Sequence, residues 1–336
     1  MEAGHDVTVV TAAPSHPYGR VYDGFTNETS EADVEGIRVW RLKTVLGPNS
    51  GTLRRTLNYA SYLAAAAANR SRFKDADIVV STSPQIFCGL AGWPVSRRAN
   101  CAWALEIRDL WPESIAAVGA ARPGLALRSV AQVVTWAYRT CDLLVSVSPG
   151  FSSNFAACGI DPTKILLAPN GVDPGEMPAS ATFEDFPELA PIRGRFIAAY
   201  VGTFGMAHGL GTIVDAAEIL KDDPAIGLVL VGSGAERDSL ADRIRKLGLT
   251  NLVLMDQQPR QRIARLWSLV DASIVHLKDQ DVFKTVIPTK LLEAMGMGRP
   301  VLLGVGGEAE KILTAAGSGV CFPPENAPAM AAALRR

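Results

Sequence analysis

The chain has 336 residues, of which 48% are hydrophobic and 20% are charged, and its formal net charge at pH 7 is -1. A chain of this length can bury large hydrophobic cores and is long enough for two domains. The near-neutral charge balance lacks the basic excess that bulk nucleic-acid binding requires. The composition therefore predicts a globular protein that does not bind nucleic acid.

The cysteines and the apolar runs restrict the class of protein further. Five cysteines, at positions 88, 101, 141, 158 and 321, form no Cys-x-x-Cys pair or other metal-ligand spacing. We expect no disulfide and no zinc site, as suits a reducing compartment. No run of about 18 apolar residues and no basic-then-apolar leader is present, which predicts neither a membrane span nor a secretion signal. A cytoplasmic location follows.

In the N-terminal half, segments typical of strands alternate with segments typical of helices. Residues 1–11 indicate the end of a helix, a cap at Gly4 and then a strand from Val7 to Val10. A doubly wound domain is expected to supply a strand and a helix before that cap. Further along, the patterns predict a strand at 36–42, a helix at 53–73 and a buried strand within 77–84. This alternation is typical of a parallel sheet.

A charged strand end is the most informative feature of this half. The strand that begins near Trp103 carries Glu106, Arg108 and Asp109 where it ends, and a helix begins near Glu113. One interpretation is an Arg-Asp pair that closes the loop. We prefer a ligand site, because buried strand ends rarely carry three charges without a partner. His16, in the loop 14–25, is either an acceptor contact or an incidental surface residue.

Two further stretches of the N-terminal half leave alternatives open. Residues 116–138 are long and apolar with interspersed arginines, which suits either core packing or a face that contacts a membrane or lipid acceptor. The strand at 164–168 runs into an Asn-Gly turn, and the aperiodic stretch that follows is rich in Pro, Ala and acidic residues. We therefore predict an N-terminal domain at 1–178, a linker at 179–194 and a C-terminal domain at 195–336.

The C-terminal half repeats a strand followed by a turn four times. The first strand leads into a glycine-rich loop that contains His208, and the second ends at Gly232 and Gly234. The third ends at Asp256-Gln257, whose backbone suits a base, and the fourth covers 271–277. Glycine-rich turns allow backbone N–H groups to approach a diphosphate closely. Four strand ends at one sheet edge predict a cleft for a phosphorylated, sugar-bearing ligand.

One helix adds charge to this predicted cleft. Pro288 suits a helix start, Lys290 and Glu293 lie three residues apart on one face, and Gly296 and Gly298 end the helix. The helix N-terminus and Lys290 both favour an anion, while Glu293 is an acceptor suited to ribose hydroxyls. The alternative is a solvated Lys-Glu pair on an ordinary helix.

Taken together and in order, these motifs resemble the retaining GT-B glycosyltransferases of the family 4 type. The resemblance spans nearly the whole chain. It rests on Tyr200-Val-Gly-Thr203, His208-Gly209, Leu230-Val-Gly-Ser-Gly234 and Pro288-Thr-Lys-Leu-Leu-Glu-Ala-Met-Gly-Met-Gly-Arg-Pro-Val301, with Pro169-Asn-Gly-Val-Asp173 similar to the interdomain turn. Two more runs, Glu106-Ile-Arg-Asp-Leu-Trp-Pro-Glu-Ser114 and Pro14-Ser-His-Pro-Tyr-Gly19, resemble the branch that assembles bacterial O-antigen, capsule and exopolysaccharide, including N-acetyl-fucosamine transferases.

The resemblance implies roles for individual residues. The C-terminal domain would bind a nucleotide-diphosphate sugar, with a UDP-sugar favoured, without a metal or other cofactor. Lys290 would meet the phosphates and Glu293 the ribose, and stabilisation of the departing diphosphate would be the main catalytic effect. The catalytic set is Lys290, Glu293, Arg108 and Asp109. The donor-binding set is Gly202, Thr203, His208, Gly209, Gly232, Gly234, Gln257 and Thr289. The acceptor-side set is His16, Glu106 and Glu113.

Three positions depart from the family pattern. The first of two glutamates spaced eight apart is replaced by Thr285, the basic residues of the diphosphate loop by Thr203 and His208, and an N-domain histidine by Arg108. Much of the positive charge therefore falls to Lys290. The resemblance also implies a sequence truncated at the N-terminus, with the C-terminus a second candidate for truncation. The missing leading strand and helix would have carried the glycine-rich loop near the acceptor.

The sequence thus predicts an α/β protein of the GT-B fold, with two Rossmann-like doubly wound domains facing a central cleft. We expect a metal-independent hexosyltransferase that moves a sugar to a glycan or polyprenyl-linked acceptor with retention. The expected setting is bacterial surface polysaccharide synthesis, in the cytoplasm or peripherally on the inner face of the plasma membrane. The alternatives are a nucleotide-sugar epimerase of the same fold and a non-catalytic nucleotide-sugar-binding protein. The sequence does not identify the sugar, the acceptor or the oligomeric state.

Overall fold

The computed structural model describes residues 3–15, 19–47, 52–83, 86–119, 124–173 and 180–336. Strands and helices alternate through most of this range. The strands are β1 Thr8–Ala12, β2 Ser30–Val34, β3 Ile37–Leu42, β4 Ile78–Thr82, β5 Ala102–Ile107, β6 Leu143–Ser146, β7 Ile165–Leu167, β8 Phe196–Val201, β9 Ile226–Val231, β10 Leu252–Met255, β11 Ala272–His276, β12 Val301–Gly304 and β13 Gly319–Cys321. The α-helices are α1 Thr52–Asn69, α2 Ile86–Leu90, α3 Gly92–Ala99, α4 Glu113–Ala117, α5 Leu125–Thr140, α6 Ser152–Ala157, α7 Gly211–Ile219, α8 Arg237–Leu247, α9 Arg260–Leu266, α10 Thr289–Gly296, α11 Glu308–Ala316 and α12 Ala327–Leu334.

The chain divides into two compact units. The first consists of 1–112, 123–147 and 153–168, and the second of 113–122, 148–152 and 169–336. Two short segments of the N-terminal half, one of which contains α4, therefore pack with the second unit.

The second unit is built on a six-stranded sheet in the order β10-β9-β8-β11-β12-β13. All neighbouring strands in it are parallel. Every residue of β9 and of β11 is buried, as expected for strands covered on both faces. The strand order reverses between β8 and β11, and in such sheets ligands bind outside the carboxyl ends of the strands at this point. The fold therefore directs attention to the loops that follow β8 and β11.

Residues of the predicted linker are packed into the second unit. Short 3₁₀ helices cover Phe183–Asp185 and Pro187–Ile192. Phe186, Leu189 and Ile192 are buried there against one face of the sheet. Their spacing of three residues matches the three-residue turn of a 3₁₀ helix, a period that a search for α or β patterns does not detect.

The first unit contains two sheets among its described residues. One has the order β1-β3-β2, and the other is the parallel sheet β4-β5-β6-β7. The predicted buried strand within 77–84 is β4, but it lies at a sheet edge, with Ile78 55% exposed and Val80 65% exposed. The prediction of burial was wrong because an apolar run does not report which neighbours flank a strand. The predicted helix at 53–73 is α1, followed by a 3₁₀ turn at Arg70–Phe73.

Candidate active site

The loops that follow β8, β9 and β10 are joined by hydrogen bonds. The N–H of Gly202 donates to the carbonyl of Val231 over 2.9 Å, and the N–H of Phe204 donates to the carbonyl of Ser233 over 2.8 Å. The Ser233 hydroxyl in turn donates to Oε1 of Gln257 over 3.0 Å. The predicted donor residues that these bonds bring together are Gly202, Thr203, Gly232, Gly234 and Gln257.

Gly232 shows why this junction requires a glycine. Its φ is +155°, and a Cβ there would overlap the carbonyl oxygen of Gly202. The two loops can therefore approach closely only without a side chain at position 232. The close approach holds their backbone N–H groups in a fixed arrangement beside the strand ends.

Lys290 lies beneath the first of these loops. Its Nζ donates a hydrogen bond to the phenol oxygen of Tyr200 over 2.7 Å and lies 4.2 Å from the centroid of that ring. The Tyr200 hydroxyl donates to the carbonyl of Thr203 over 2.8 Å. A Cβ at Gly202 would lie 2.9 Å from the same Nζ. The ammonium of Lys290 thus points at the glycine loop. It occupies space that is free because Gly202 has no side chain.

The charge on Lys290 is held in an unfavourable environment. Burial lowers its pKa to about 8, and the negative charge of Glu293 partly opposes this shift. Glu293 itself is exposed one turn further along α10, and Thr289 is exposed at the first position of that helix. A desolvated cation that has no carboxylate in direct contact is stabilised when an anion binds beside it.

His208 is a neutral member of this site. Burial and the charge of Lys290 lower its pKa to about 3. Its Nδ1 is buried and forms no hydrogen bond with any described residue, and its ring meets that of Tyr200 edge-on at 5.9 Å. At neutral pH the glycine loop therefore contains no cation, because Thr203 is also uncharged.

A second histidine, His276, fixes the position of the glycine loop. Its Nδ1 lies 2.7 Å from the carbonyl oxygen of His208, and its Nε2 accepts a hydrogen bond from the N–H of Glu325 over 3.0 Å. Since Nε2 is the acceptor, Nδ1 must carry the proton and donate it. Burial lowers the pKa of His276, which favours this neutral form. Its ring stacks on Phe322.

Sequence reasoning missed four residues of this region: Tyr200, Glu236, His276 and Lys278. Two are charged side chains that follow β9 and β11. The N–H of Glu236 donates to the carbonyl of Phe204, and the N–H of Lys278 donates to the carbonyl of Ala207. The signal for Lys278 was a charged residue directly after an apolar run, and the signal for Glu236 was a charged residue at the end of the glycine-rich turn that follows β9. Tyr200 and His276 lie inside such runs and gave no signal of this kind.

Thr285 occupies the position of the missing glutamate and has a structural role. Its hydroxyl donates to the carbonyl of Val282 over 2.6 Å, and its own carbonyl accepts from the Ser148 hydroxyl over 2.6 Å. A Cβ at Gly150 would lie 2.7 Å from the Cα of Thr285. The position is packed and uncharged, so it supplies no carboxylate to the site.

The predicted acceptor residues of the first unit lie at the carboxyl end of β5. The carbonyl of Glu106 accepts from the N–H of Ser83, whose hydroxyl accepts from the N–H of Arg108 over 3.0 Å. The Arg108 side chain is exposed, and Asp109 beside it is half-buried.

Two acceptor-side predictions fall elsewhere. Glu113 is the exposed first residue of α4, in a segment that packs with the second unit. His16 lies outside the described residues. Across the described ranges, no group of three or more His, Cys, Asp and Glu side chains is arranged to hold a metal ion.

The two halves of the chain match known families. Residues 1–171 match the family described as glycosyl transferase 4-like domain, and residues 182–336 match glycosyl transferases group 1. The chain belongs to the glycosyl transferase 4-like family. This glycosyltransferase is 23% identical over 351 residues to a protein of Escherichia coli strain K12 that carries the name of a colanic acid biosynthesis glycosyl transferase, WcaI. The match covers 99% of the chain and 84% of the relative.

Solved structures with the same fold include two enzymes of the GT-B class. Sucrose-phosphate synthase from Thermosynechococcus elongatus is 20% identical with a TM-score of 0.72, over 100% of the glycosyltransferase and 80% of that chain. HepE from Anabaena, solved with UDP and glucose, is 16% identical with a TM-score of 0.68, over 98% and 89% of the two chains. The predicted α/β GT-B fold is confirmed.

Proposed function

We propose that this glycosyltransferase moves a sugar from a nucleotide-diphosphate sugar to a glycan or polyprenyl-linked acceptor. The observation that carries the donor assignment is Lys290, held 2.7 Å from Tyr200 at the edge of a glycine loop on a parallel sheet. The ammonium, the loop N–H groups and the start of α7 together suit a diphosphate. Glu293, exposed on the next turn of α10, suits the ribose hydroxyls.

In the transfer that we propose, the bond between the anomeric carbon and the diphosphate oxygen breaks while the acceptor oxygen bonds to the same face of the sugar, and the proton of the acceptor hydroxyl passes to the departing diphosphate. The departing diphosphate gains negative charge, and Lys290 stabilises it in a site where the cation is already desolvated. His208 can donate one N–H without adding charge. We assign Arg108 and Asp109 to the acceptor or to the transferred sugar, and no metal ion takes part.

The relatives support the finer parts of the proposal. HepE was solved with UDP and glucose, which supports a UDP-sugar as donor. WcaI carries a name in colanic acid biosynthesis, which supports a role in bacterial surface polysaccharide synthesis. The pathway would then place the enzyme in the cytoplasm, where nucleotide-sugars are made.

Exposed side chains on α3 and α5 support peripheral membrane contact. Trp136 is 42% exposed and Trp93 is 38% exposed, and their rings meet edge-on at 5.3 Å. Leu125 on α5 is 81% exposed, and Arg97 and Arg98 are exposed on α3. Aromatic and basic side chains on one surface suit the interface of an anionic membrane. No α-helix of the described ranges has the length and apolar content of a membrane span.

The deciding experiment offers purified protein a panel of nucleotide-sugars with polyprenyl-phosphate and polyprenyl-diphosphate sugars. Products are analysed by mass spectrometry and their anomeric configuration by NMR. We expect transfer with retention, unchanged in EDTA because no metal takes part. Release of an altered donor without any acceptor would indicate an epimerase, and donor binding without turnover would indicate a binding protein.

Membrane contact is tested separately by sedimentation with vesicles. We expect binding to vesicles that contain the anionic lipid phosphatidylglycerol and little binding to vesicles of phosphatidylcholine alone. Replacing Trp93 and Trp136 with serine should abolish it. Equal sedimentation of the double variant would contradict the assignment of this surface.

A further inference from the structure

The donor site as described has too little positive charge for its proposed ligand. The glycine loop contributes no cation at neutral pH, and Lys290 is a single ammonium that already donates to Tyr200. A nucleotide-sugar carries a negative charge on each phosphate, and the charge grows as the diphosphate departs. Sites for such groups commonly use more than one cation.

Lys278 lies where a second cation is needed. It follows β11, the strand next to β8 at the reversal of strand order, so it shares the switch point with the glycine loop. Its N–H donates to the carbonyl of Ala207 over 2.9 Å. A Cβ at Gly209 would lie 3.3 Å from Cγ of Lys278, so the aliphatic part of the side chain runs along this loop.

The ammonium of Lys278 is available to a ligand. Among the described residues it forms no hydrogen bond or ion pair. Glu236 follows the β9 loop and donates its N–H to the carbonyl of Phe204, so its backbone joins the same glycine loop that Lys278 joins at Ala207. Burial raises the pKa of Glu236, and the charge of Lys278 partly opposes that shift. The two side chains thus interact at a distance without a direct bond.

We propose that Lys278 is a second diphosphate-binding residue and that Glu236 is a positioning residue, which attracts the Lys278 ammonium when the site is empty. This inference rests on the proposed donor site. Lys290 approaches the glycine loop from α10 and Lys278 from the end of β11, so the two cations would contact different oxygens of the diphosphate. Glu236 competes with the ligand for the Lys278 ammonium and therefore weakens ligand binding slightly.

The test uses calorimetry with UDP, GDP, dTDP and ADP, and then with the monophosphate of the nucleotide that binds best. Lys278→Met preserves the aliphatic part and removes the charge. We expect it to weaken diphosphate binding by about tenfold or more, with a smaller loss for the monophosphate. Lys278→Arg should keep affinity within about threefold, since the charge is retained. Lys246→Met, at an exposed position on α8, is the matched control and should change nothing.

Glu236→Gln gives a prediction of the opposite sign. Removing its charge should tighten diphosphate binding about two- to fivefold, and this gain should vanish when Lys278→Met is also present. A merely structural role for either residue would not produce this pattern. If Lys278→Met unfolds the protein, the gain in diphosphate affinity of Glu236→Gln alone tests the proposal.

Two kinds of result would overturn the inference, and they exclude different parts of the proposed site. Wild-type affinity in Lys278→Met, or no gain in Glu236→Gln, would remove Lys278 from the site while leaving Lys290 and the proposed donor in place. Failure of the wild-type protein to bind any of the four diphosphates, while folded by circular dichroism, would remove the proposed donor site itself.

Discussion

The ammonium of Lys290 donates to the phenol oxygen of Tyr200 over 2.7 Å, although the two residues are 90 positions apart in the sequence. Tyr200 is fully buried, and burial raises its pKa, so it stays a neutral phenol that passes a hydrogen bond on to Thr203. The lysine is therefore oriented by a neutral partner, and its charge remains available to an anion.

Replacing Lys290 with methionine should separate stability from function. We expect donor binding to weaken by at least about tenfold, the loss of a charged hydrogen bond. We also expect a gain in the free energy of unfolding of about 1–2 kcal/mol at pH 7, because a desolvated charge is removed. Calorimetry and thermal unfolding measure the two effects. Unchanged donor affinity would remove the phosphate role, and Lys246→Met serves as the control for charge alone.

Donor affinity should depend on pH through the same residue. The lowered pKa of Lys290, about 8, means that the empty site loses its proton as the pH rises past that value. The bound diphosphate favours the protonated form, so the dissociation constant should rise roughly tenfold per pH unit above that point. The unfolded chain keeps its proton up to a higher pH, so stability does not fall over this range. A flat affinity profile from pH 7 to 9.5 in wild-type protein would contradict this.

Acid should loosen the glycine loop through His276. Its folded-state pKa is lowered, so below about pH 6.5 the unfolded chain binds this proton before the folded one does. Stability is therefore complete above that pH and falls as the pH decreases. A glutamine side chain can donate and accept hydrogen bonds but does not titrate. His276→Gln should therefore lose less unfolding free energy than the wild type when the pH falls from 7.5 to 5. Urea unfolding at both pH values measures the two losses. His5→Gln, at an exposed position, is the control and should behave as wild type.

The loop junction allows a matched pair of glycine substitutions. Gly232→Ala places a Cβ against the carbonyl of Gly202 and strains a positive φ, so we expect a loss of about 3 kcal/mol or more of unfolding free energy. Gly248→Ala also has a positive φ, but nothing lies within 4 Å of its Cβ, so strain alone costs about 1 kcal/mol. Chemical denaturation measures the loss of unfolding free energy in each variant. Equal losses would show that the close approach of the loops contributes nothing.

Asp109→Asn tests the division of roles between the two units. Asp109 belongs to the first unit and the donor residues to the second. We expect transfer to fall at least about tenfold while the donor dissociation constant changes less than about threefold. Donor affinity that falls as much as the rate would assign Asp109 to donor binding or folding. Asp75→Asn, exposed in the same unit, is the matched control.

Local patterns alone determined the strand and helix alternation, the glycine turns after β8 and β9, and the helix of Lys290 and Glu293. These features depend on residues that are neighbours in sequence, so their periodicity and their capping residues reveal them. The ordered motifs also carried the resemblance to glycosyltransferases, and the matches to both halves of the chain confirm that coarser assignment.

Only the tertiary structure decided which distant groups meet. The sheet order places Tyr200 beside Lys290, His276 beneath the carbonyl of His208, and Lys278 along Gly209. The same long-range packing exposes β4 at a sheet edge and buries Phe186 of the predicted linker. Burial and desolvation depend on these partners, which come from strands far apart in sequence. The charge states of Lys290 and His208 therefore could not be obtained from the sequence alone.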